Sequence, residues 1–141
     1  MKTNAKTLVM YYSFTGHTKE MAEKQAKKYN ADLVEVKESK KRSKLSAYLA
    51  GCVQARKQNS TKIDEVNVDF SNYDHIIIGA PIWWGFPAPA FNSIVNVIPS
   101  GKEVDLFFLS GSGSTAKTRN KIKKVLSGRN LKVLKYMDLK G

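Results

Sequence analysis

Thr7-Leu8-Val9-Met10-Tyr11-Tyr12 is a run with almost no polarity, the pattern of a strand covered on both faces and so central in a parallel sheet. After Gly16 the period changes. Thr18, Met21, Ala22, Gln25, Ala26 and Tyr29 recur at three and four, while Lys19, Lys24, Lys27 and Lys28 fall elsewhere on the wheel. That spacing predicts an amphipathic helix with a basic solvent face. Residues 31–36, Ala-Asp-Leu-Val-Glu-Val, alternate in polarity and read as a strand nearer an edge.

A charged stretch, Lys37 to Lys44, leads into a second helical pattern in which Leu45, Tyr48, Leu49, Cys52 and Val53 share a face. That face is expected to be buried, with Cys52 as a small apolar side chain within it. Residues 73–80, Tyr-Asp-His-Ile-Ile-Ile-Gly-Ala, form the most hydrophobic strand candidate. Phe91, Ile94, Val95 and Ile98 mark a short helix stopped by Pro99-Ser100-Gly101, and residues 104–109 repeat the buried-strand pattern. A last helix is expected from Ser114 as N-cap, through Ile122, Val125 and Leu126, to Gly128 as the residue after its end. Leu131 to Met137 supplies a fifth strand.

Strands alternating with helices imply one α/β domain over residues 1–141, a doubly wound parallel sheet, because parallel neighbours need right-handed crossovers. Only four residues follow the fifth strand, so no helix is expected after it, and self-association over the face left open is an expectation.

Composition narrows the class. The 141 residues suit one compact core. Cys52 is the only cysteine, which excludes an internal disulfide and a cysteine-rich zinc cluster and points to a reducing cytoplasm. Met1 to Lys6 lead into an apolar stretch too short for a secretory signal, and no run reaches the roughly 20 apolar residues of a spanning helix. A soluble, cytoplasmic protein without a membrane role is expected. The net charge of +12 favours anionic or acidic partners.

In open parallel sheets ligands bind at the carboxyl ends of the strands, so the loops after the first, third and fourth strands carry the candidates. The first reads Ser13-Phe14-Thr15-Gly16-His17-Thr18. Three hydroxyls and a glycine entering a helix offer backbone N–H groups and the positive end of the helix dipole to a phosphate. The competing reading is a turn capped by Thr15 or Thr18. No lysine stands where a Walker loop needs one, and the three-glycine dinucleotide spacing is absent. The second segment, Ala80-Pro81-Ile82-Trp83-Trp84-Gly85 followed by Phe86-Pro87-Ala88-Pro89, offers aromatic faces on which a planar heterocycle can stack, or else core packing. The third, Ser110-Gly111-Ser112-Gly113-Ser114-Thr115, has no bulk, and its residues, Ser110 to Gly113 above all, let a ligand approach the backbone or else form a flexible polar turn.

These motifs resemble the flavodoxins, specifically short flavodoxin-like proteins. Ser13, Thr15, Gly16 and Thr18 match a first-loop pattern Ser/Thr-x-Thr-Gly-x-Thr. Gly79, Pro81, Trp83, Gly85, Pro87 and Pro89 match a later pattern, Gly-x-Pro-x-Trp-x-Gly-x-x-Pro-x-Pro. The resemblance spans nearly the whole chain. It implies a five-stranded sheet in order 2-1-3-4-5, FMN as cofactor with its phosphate at residues 13–18, and the isoalloxazine between the two later loops. Trp83 or Trp84 would stack, and backbone groups near Ile82 to Gly85 and Gly111 to Gly113 would meet the polar ring edge. The implied function is a redox carrier working with partner proteins, here acidic ones; a small NAD(P)H-dependent quinone or nitro reductase is the alternative. Flavodoxins are typically acidic, so the basic charge of this chain departs from the pattern and implies a higher second-electron potential.

Three further readings complete the picture. His17 lies beside the phosphate turn or faces solvent, and His75 at a strand start is expected to be structural, with no metal site at either. The basic clusters Lys37, Lys40, Lys41, Arg42, Lys44 and Lys117, Arg119, Lys121, Lys123, Lys124 would also serve a flavin-free protein that docks nucleic acid. The aromatics, however, concentrate in one loop and are not interleaved with those cations, which disfavours it.

Overall fold

A computed structural model describes residues 6–141; the reading of the basic opening, residues 1–5, lies outside them. The strands are β1 (Thr7–Tyr11), β2 (Asp32–Glu35), β3 (His75–Trp83), the two-residue β4 (Phe86–Pro87), β5 (Glu103–Ser110) and β6 (Lys132–Lys140). Five run parallel in the order β2-β1-β3-β5-β6, and β4 turns back antiparallel on the end of β3. With β4 set aside, this is the order 2-1-3-4-5.

The helical elements are α1 (His17–Tyr29), α2 (Lys44–Ser46), a π-helical turn Ala47–Gly51, α3 (Cys52–Arg56), α4 (Pro89–Val97) and α5 (Arg119–Gly128). Alternation along the strands sends Val9, Tyr11, Ile77, Phe107 and Leu109 towards α1, where they meet Ala22 and Ala26. Leu8, Met10, Ile76, Ile78, Leu106 and Phe108 point the other way, against Phe91 and Ile94 of α4 and Ile122 and Leu126 of α5. Each large aliphatic side chain buried there contributes roughly 1.5–3 kcal/mol.

Both α1 and α5 end alike. Asn30 and Asn130 take left-handed φ values of 51° and 56°, and the next residue donates back into the last turn, Ala31 N to Ala26 O at 2.8 Å and Leu131 N to Leu126 O at 2.9 Å. Gly128, expected just past the last helix, is its final residue instead, because Asn130 supplies the left-handed position. That helix also starts later than Ser114. Ser114 Oγ accepts from Ala116 N–H alone, and the intervening turn is held by Thr115 O, which accepts from Thr118 and Arg119 N–H, so regular helix begins at Arg119.

The segment around residues 45–53 is helical, with its expected face reversed. Leu45, Tyr48, Leu49 and Val53 are exposed, and Ala47, Gly51, Cys52 and Ala55 are buried. The reason is Trp83: a Cβ on Gly51 would approach its ring to 2.8 Å, so only a face of small residues fits against the indole. Cys52 is buried as expected, and burial pushes its thiol pKa up. His75 Nε2 pairs with the buried Asp105 at 2.9 Å, at the end of the sheet away from the loops discussed below. No helix of the described residues is long and apolar enough to cross a membrane.

Candidate functional site

Residues 13–18 form a tight turn from β1 into α1. Ser13 Oγ accepts from Gly16 N–H at 3.1 Å, and Gly16, with φ 103°, occupies the N-cap. That backbone needs glycine, and the space beyond it is open: a Cβ there would meet nothing within 4 Å. Neither Thr15 nor Thr18 caps the helix; no side chain does. Thr18 is buried, while Thr15, Gly16 and His17 face outward. The head of a 13-residue helix is thereby left with N–H donors that lack a side-chain acceptor, an arrangement suited to an anion.

The aromatic segment is a hairpin, where the sequence suggested a loop. β3 runs through Ala80, Pro81, Ile82 and Trp83, three residues past its expected end, and turns at Trp84 and Gly85 with φ values of 53° and 86°. Two successive positive φ values match the right-handed twist of a two-residue hairpin, but a bulky aromatic at the first of them is strained. Ala80 is fully buried, so its side chain belongs to the core.

The two tryptophans have separate roles. Trp83 has Tyr12 and Phe14 edge-on at 6.1 and 5.7 Å, and the Arg42 guanidinium lies 5.7 Å from its ring centre. Trp84 is half exposed and touches Tyr48 edge-on at 6.3 Å. Trp83 therefore anchors the hairpin, and Trp84 offers a free face.

Ser110, Gly111, Ser112 and Gly113 make the third loop. Gly113 N–H donates to Ser110 Oγ at 2.9 Å, and Ser112 Oγ accepts from Ser114 N–H at 3.2 Å. A Cβ on Gly111 would meet nothing within 4 Å. Beneath this loop Asp138 accepts from Thr115 Oγ1 at 2.7 Å, from Thr115 N–H at 3.0 Å and from Arg119 at 3.1 Å. Burial opposes ionisation of Asp138, but these hydrogen bonds and the guanidinium outweigh it and hold the carboxyl below its ordinary range. The loops are linked: Phe14 against Trp83 joins the first to the hairpin, and Thr118 Oγ1 donating to Gly85 O at 2.5 Å joins the hairpin to the third.

Phe14 also borders a cavity of about 920 Å³ between residues 12–15, residues 35–44 and Asp64. One wall is a buried polar network in which Glu38 accepts from Tyr12 Oη at 2.6 Å and pairs with Arg42 at 2.8 Å, and Arg42 donates to Gln54 at 2.6 Å. Burial, then the neighbouring Glu38, pushes the Tyr12 phenol pKa far up. Sequence patterns place Arg42 only in a basic cluster and Thr115 only at the end of the small-residue loop, and they give no sign of Glu38, Thr118 or Asp138. Asp138 lies one residue past the expected end of the last strand at Met137, and β6 in fact runs on to Lys140.

A sequence profile of the family described as Flavodoxin matches residues 6–140. Among solved structures, the chain is similar to a flavoprotein from Lactobacillus acidophilus crystallised in complex with FMN, at 30% identity and TM-score 0.79, covering 94% of this chain and 92% of that one. The apo form of the flavoprotein from the same organism, solved by NMR, is 31% identical with TM-score 0.73, over 97% and 95% of the two chains. A flavodoxin from Agrobacterium tumefaciens shares the fold at 19% identity and TM-score 0.58, over 92% and 76%. No curated protein matches by sequence. The profile match over nearly every described residue, on a sheet of this order with these three loops at one edge, shows that the chain belongs to the flavodoxin family.

Proposed function

We propose that this protein binds FMN non-covalently at the loop edge and serves as an electron carrier. The observation that carries the reading is the uncapped head of α1 at Gly16, joined through Phe14 to the tryptophan hairpin. The residues present fit the cofactor. The turn at residues 13–18 supplies N–H and hydroxyl donors for the phosphate. Trp84 has a free face for a planar ring, and Gly111 leaves room for close approach of its polar edge. Bound FMN supplies the one- and two-electron redox chemistry. The protein holds and orients it, and backbone groups of residues 82–85 and 111–113 bias its redox states through hydrogen bonds.

A second reading, direct turnover of a small molecule as in an NAD(P)H-dependent quinone or nitro reductase, is favoured by the cavity of about 920 Å³ beside the first loop. An absorption spectrum of the purified protein, before and after FMN addition and removal of excess, tests the first reading. Retained flavin bands with quenched tryptophan fluorescence are expected, and a colourless protein would overturn it. Bleaching of retained flavin by NAD(P)H alone would then favour turnover over carriage.

A further inference from the structure

We propose that the outward stripe of α2, the π-helical turn and α3, together with Trp84, is the docking surface for an acidic one-electron carrier protein; this rests on the flavin reading above. Leu45, Tyr48, Leu49 and Val53 are 66%, 61%, 57% and 40% exposed, on a helix whose opposite, small-residue face is pinned to Trp83. Tyr48 continues the stripe onto the half-exposed Trp84 at the hairpin tip. An apolar patch of this kind, contiguous with the proposed ring site, marks an interaction surface.

Charge identifies the occupant. Residues 39–63 contain seven Lys or Arg and no carboxylate; residues 106–137 contain eight and none; residues 75–102 contain no carboxylate either. These segments border the patch. Lys40, Lys41 and Lys44 precede it, Arg56 and Lys57 follow it, and Gln58 Nε2 donating to Lys121 O at 3.3 Å sets the end of α3 beside α5. Thr118 bonded to Gly85 brings the start of α5, with Lys117, to the hairpin. Glu38 is paired with Arg42 and Asp138 with Arg119, while Glu35 and Asp64 share a cavity wall with Lys41 and Lys44, so the cations remain in excess around the patch.

A second copy of the chain would set the same excess of cations face to face in a two-fold contact, which opposes self-association here. Single-stranded nucleic acid would match the charge and stack on Tyr48 and Trp84, but it would leave the exposed aliphatic Leu45, Leu49 and Val53 unused. An acidic protein with an apolar centre matches both, and a small patch suits a transient encounter of the electron-transfer type, which buries less than about 1,200 Å². In that encounter one electron passes from the reduced partner to the bound flavin with no bond made or broken.

The test uses the FMN-loaded chain in stopped-flow mixing with a reduced acidic [2Fe–2S] ferredoxin, and calorimetry of the same pair with flavin-free protein. The expected rate falls at least about tenfold from low to high salt. It falls similarly for Tyr48→Ser/Leu49→Ser and for Lys44→Glu/Arg56→Glu, with FMN retention unchanged, while Lys27→Glu/Lys28→Glu on α1 leaves it as in the parent. Equal rates in the parent and both patch variants, or faster exchange with basic cytochrome c, would overturn the docking surface. So would patch-dependent binding to anionic phosphatidylserine vesicles without ferredoxin binding. Calorimetric binding by a chain that retains no FMN would sink the flavin reading alone and leave the surface standing.

Discussion

Phe107 lies against Gly79 across the β3–β5 pair, so closely that a Cβ on residue 79 would come within 2.0 Å of the tip of the ring. Phe107 is fully buried there on the α1 side of the sheet. The glycine of the Gly-x-Pro-x-Trp pattern is thus required by packing, with no unusual φ and no ligand involved. Gly79→Ala is expected to destabilise the fold by about 1–3 kcal/mol through overpacking, and Phe107→Ala by about 3–5 kcal/mol through loss of a buried ring. Urea unfolding of Gly79→Ala in a Phe107→Leu background should recover part of the loss; simple additivity would contradict the contact.

Separate substitutions should divide the two tryptophans. Trp83→Ala is expected to cost about 3–5 kcal/mol of stability, because Tyr12, Phe14 and Gly51 pack on that ring. Trp84→Gly relieves the positive φ and should be neutral or stabilising by up to about 1 kcal/mol, yet weaken FMN by about tenfold, within the range of an aromatic contact. Fluorescence titration of FMN beside thermal unfolding reads both; unchanged FMN affinity in Trp84→Gly would remove it from the ring site.

Gly16→Ala places a side chain at φ 103° with no neighbour to strike, so its penalty is backbone strain of about 1–3 kcal/mol. Equilibrium dialysis should show FMN affinity falling with it, and Ser13→Ala, which frees Gly16 N–H, should leave the fold intact. Full affinity in Gly16→Ala would mean that the phosphate sits elsewhere.

Asp138 gives a pH signature. Its folded carboxyl titrates below the ordinary value of 3.8, so it adds stability that is present above that value and is lost as pH falls through the lower folded pKa. Asp138→Asn should therefore narrow the stability gap between pH 6 and pH 3 in denaturant titrations. A gap of parental size would show that Thr115 and Arg119 do not stabilise the charge.

Net charge should raise the second-electron potential above that of an acidic flavodoxin, because each nearby unscreened cation favours the anionic reduced ring by roughly 1 kcal/mol or less. Potentiometric titration with FMN bound checks this, and a potential as low as in acidic flavodoxins would exclude it.

The parallel strands and the positions of the three loops were legible in the pattern of apolar runs, since a strand buried on both faces is almost wholly apolar and its carboxyl end carries the site, whereas the strand order came from the resemblance to the flavodoxins. Helix α1 was legible for a similar reason: Ala22 and Ala26 lie on the apolar face that its lysines avoid. The inward face of residues 45–53 was not. Hydrophobicity placed Leu45, Tyr48 and Leu49 inside, but the space under that helix is filled by Trp83, which arrives from a strand thirty residues away and admits only Gly51, Cys52 and other small residues. The same holds for the separate duties of Trp83 and Trp84, adjacent in sequence but one partly buried against the core and the other half exposed, because the chain turns at positive φ from Trp84 onward. Period and composition determine which residues can be buried. Only the tertiary structure decides which apolar groups find room in the core and which remain at the surface.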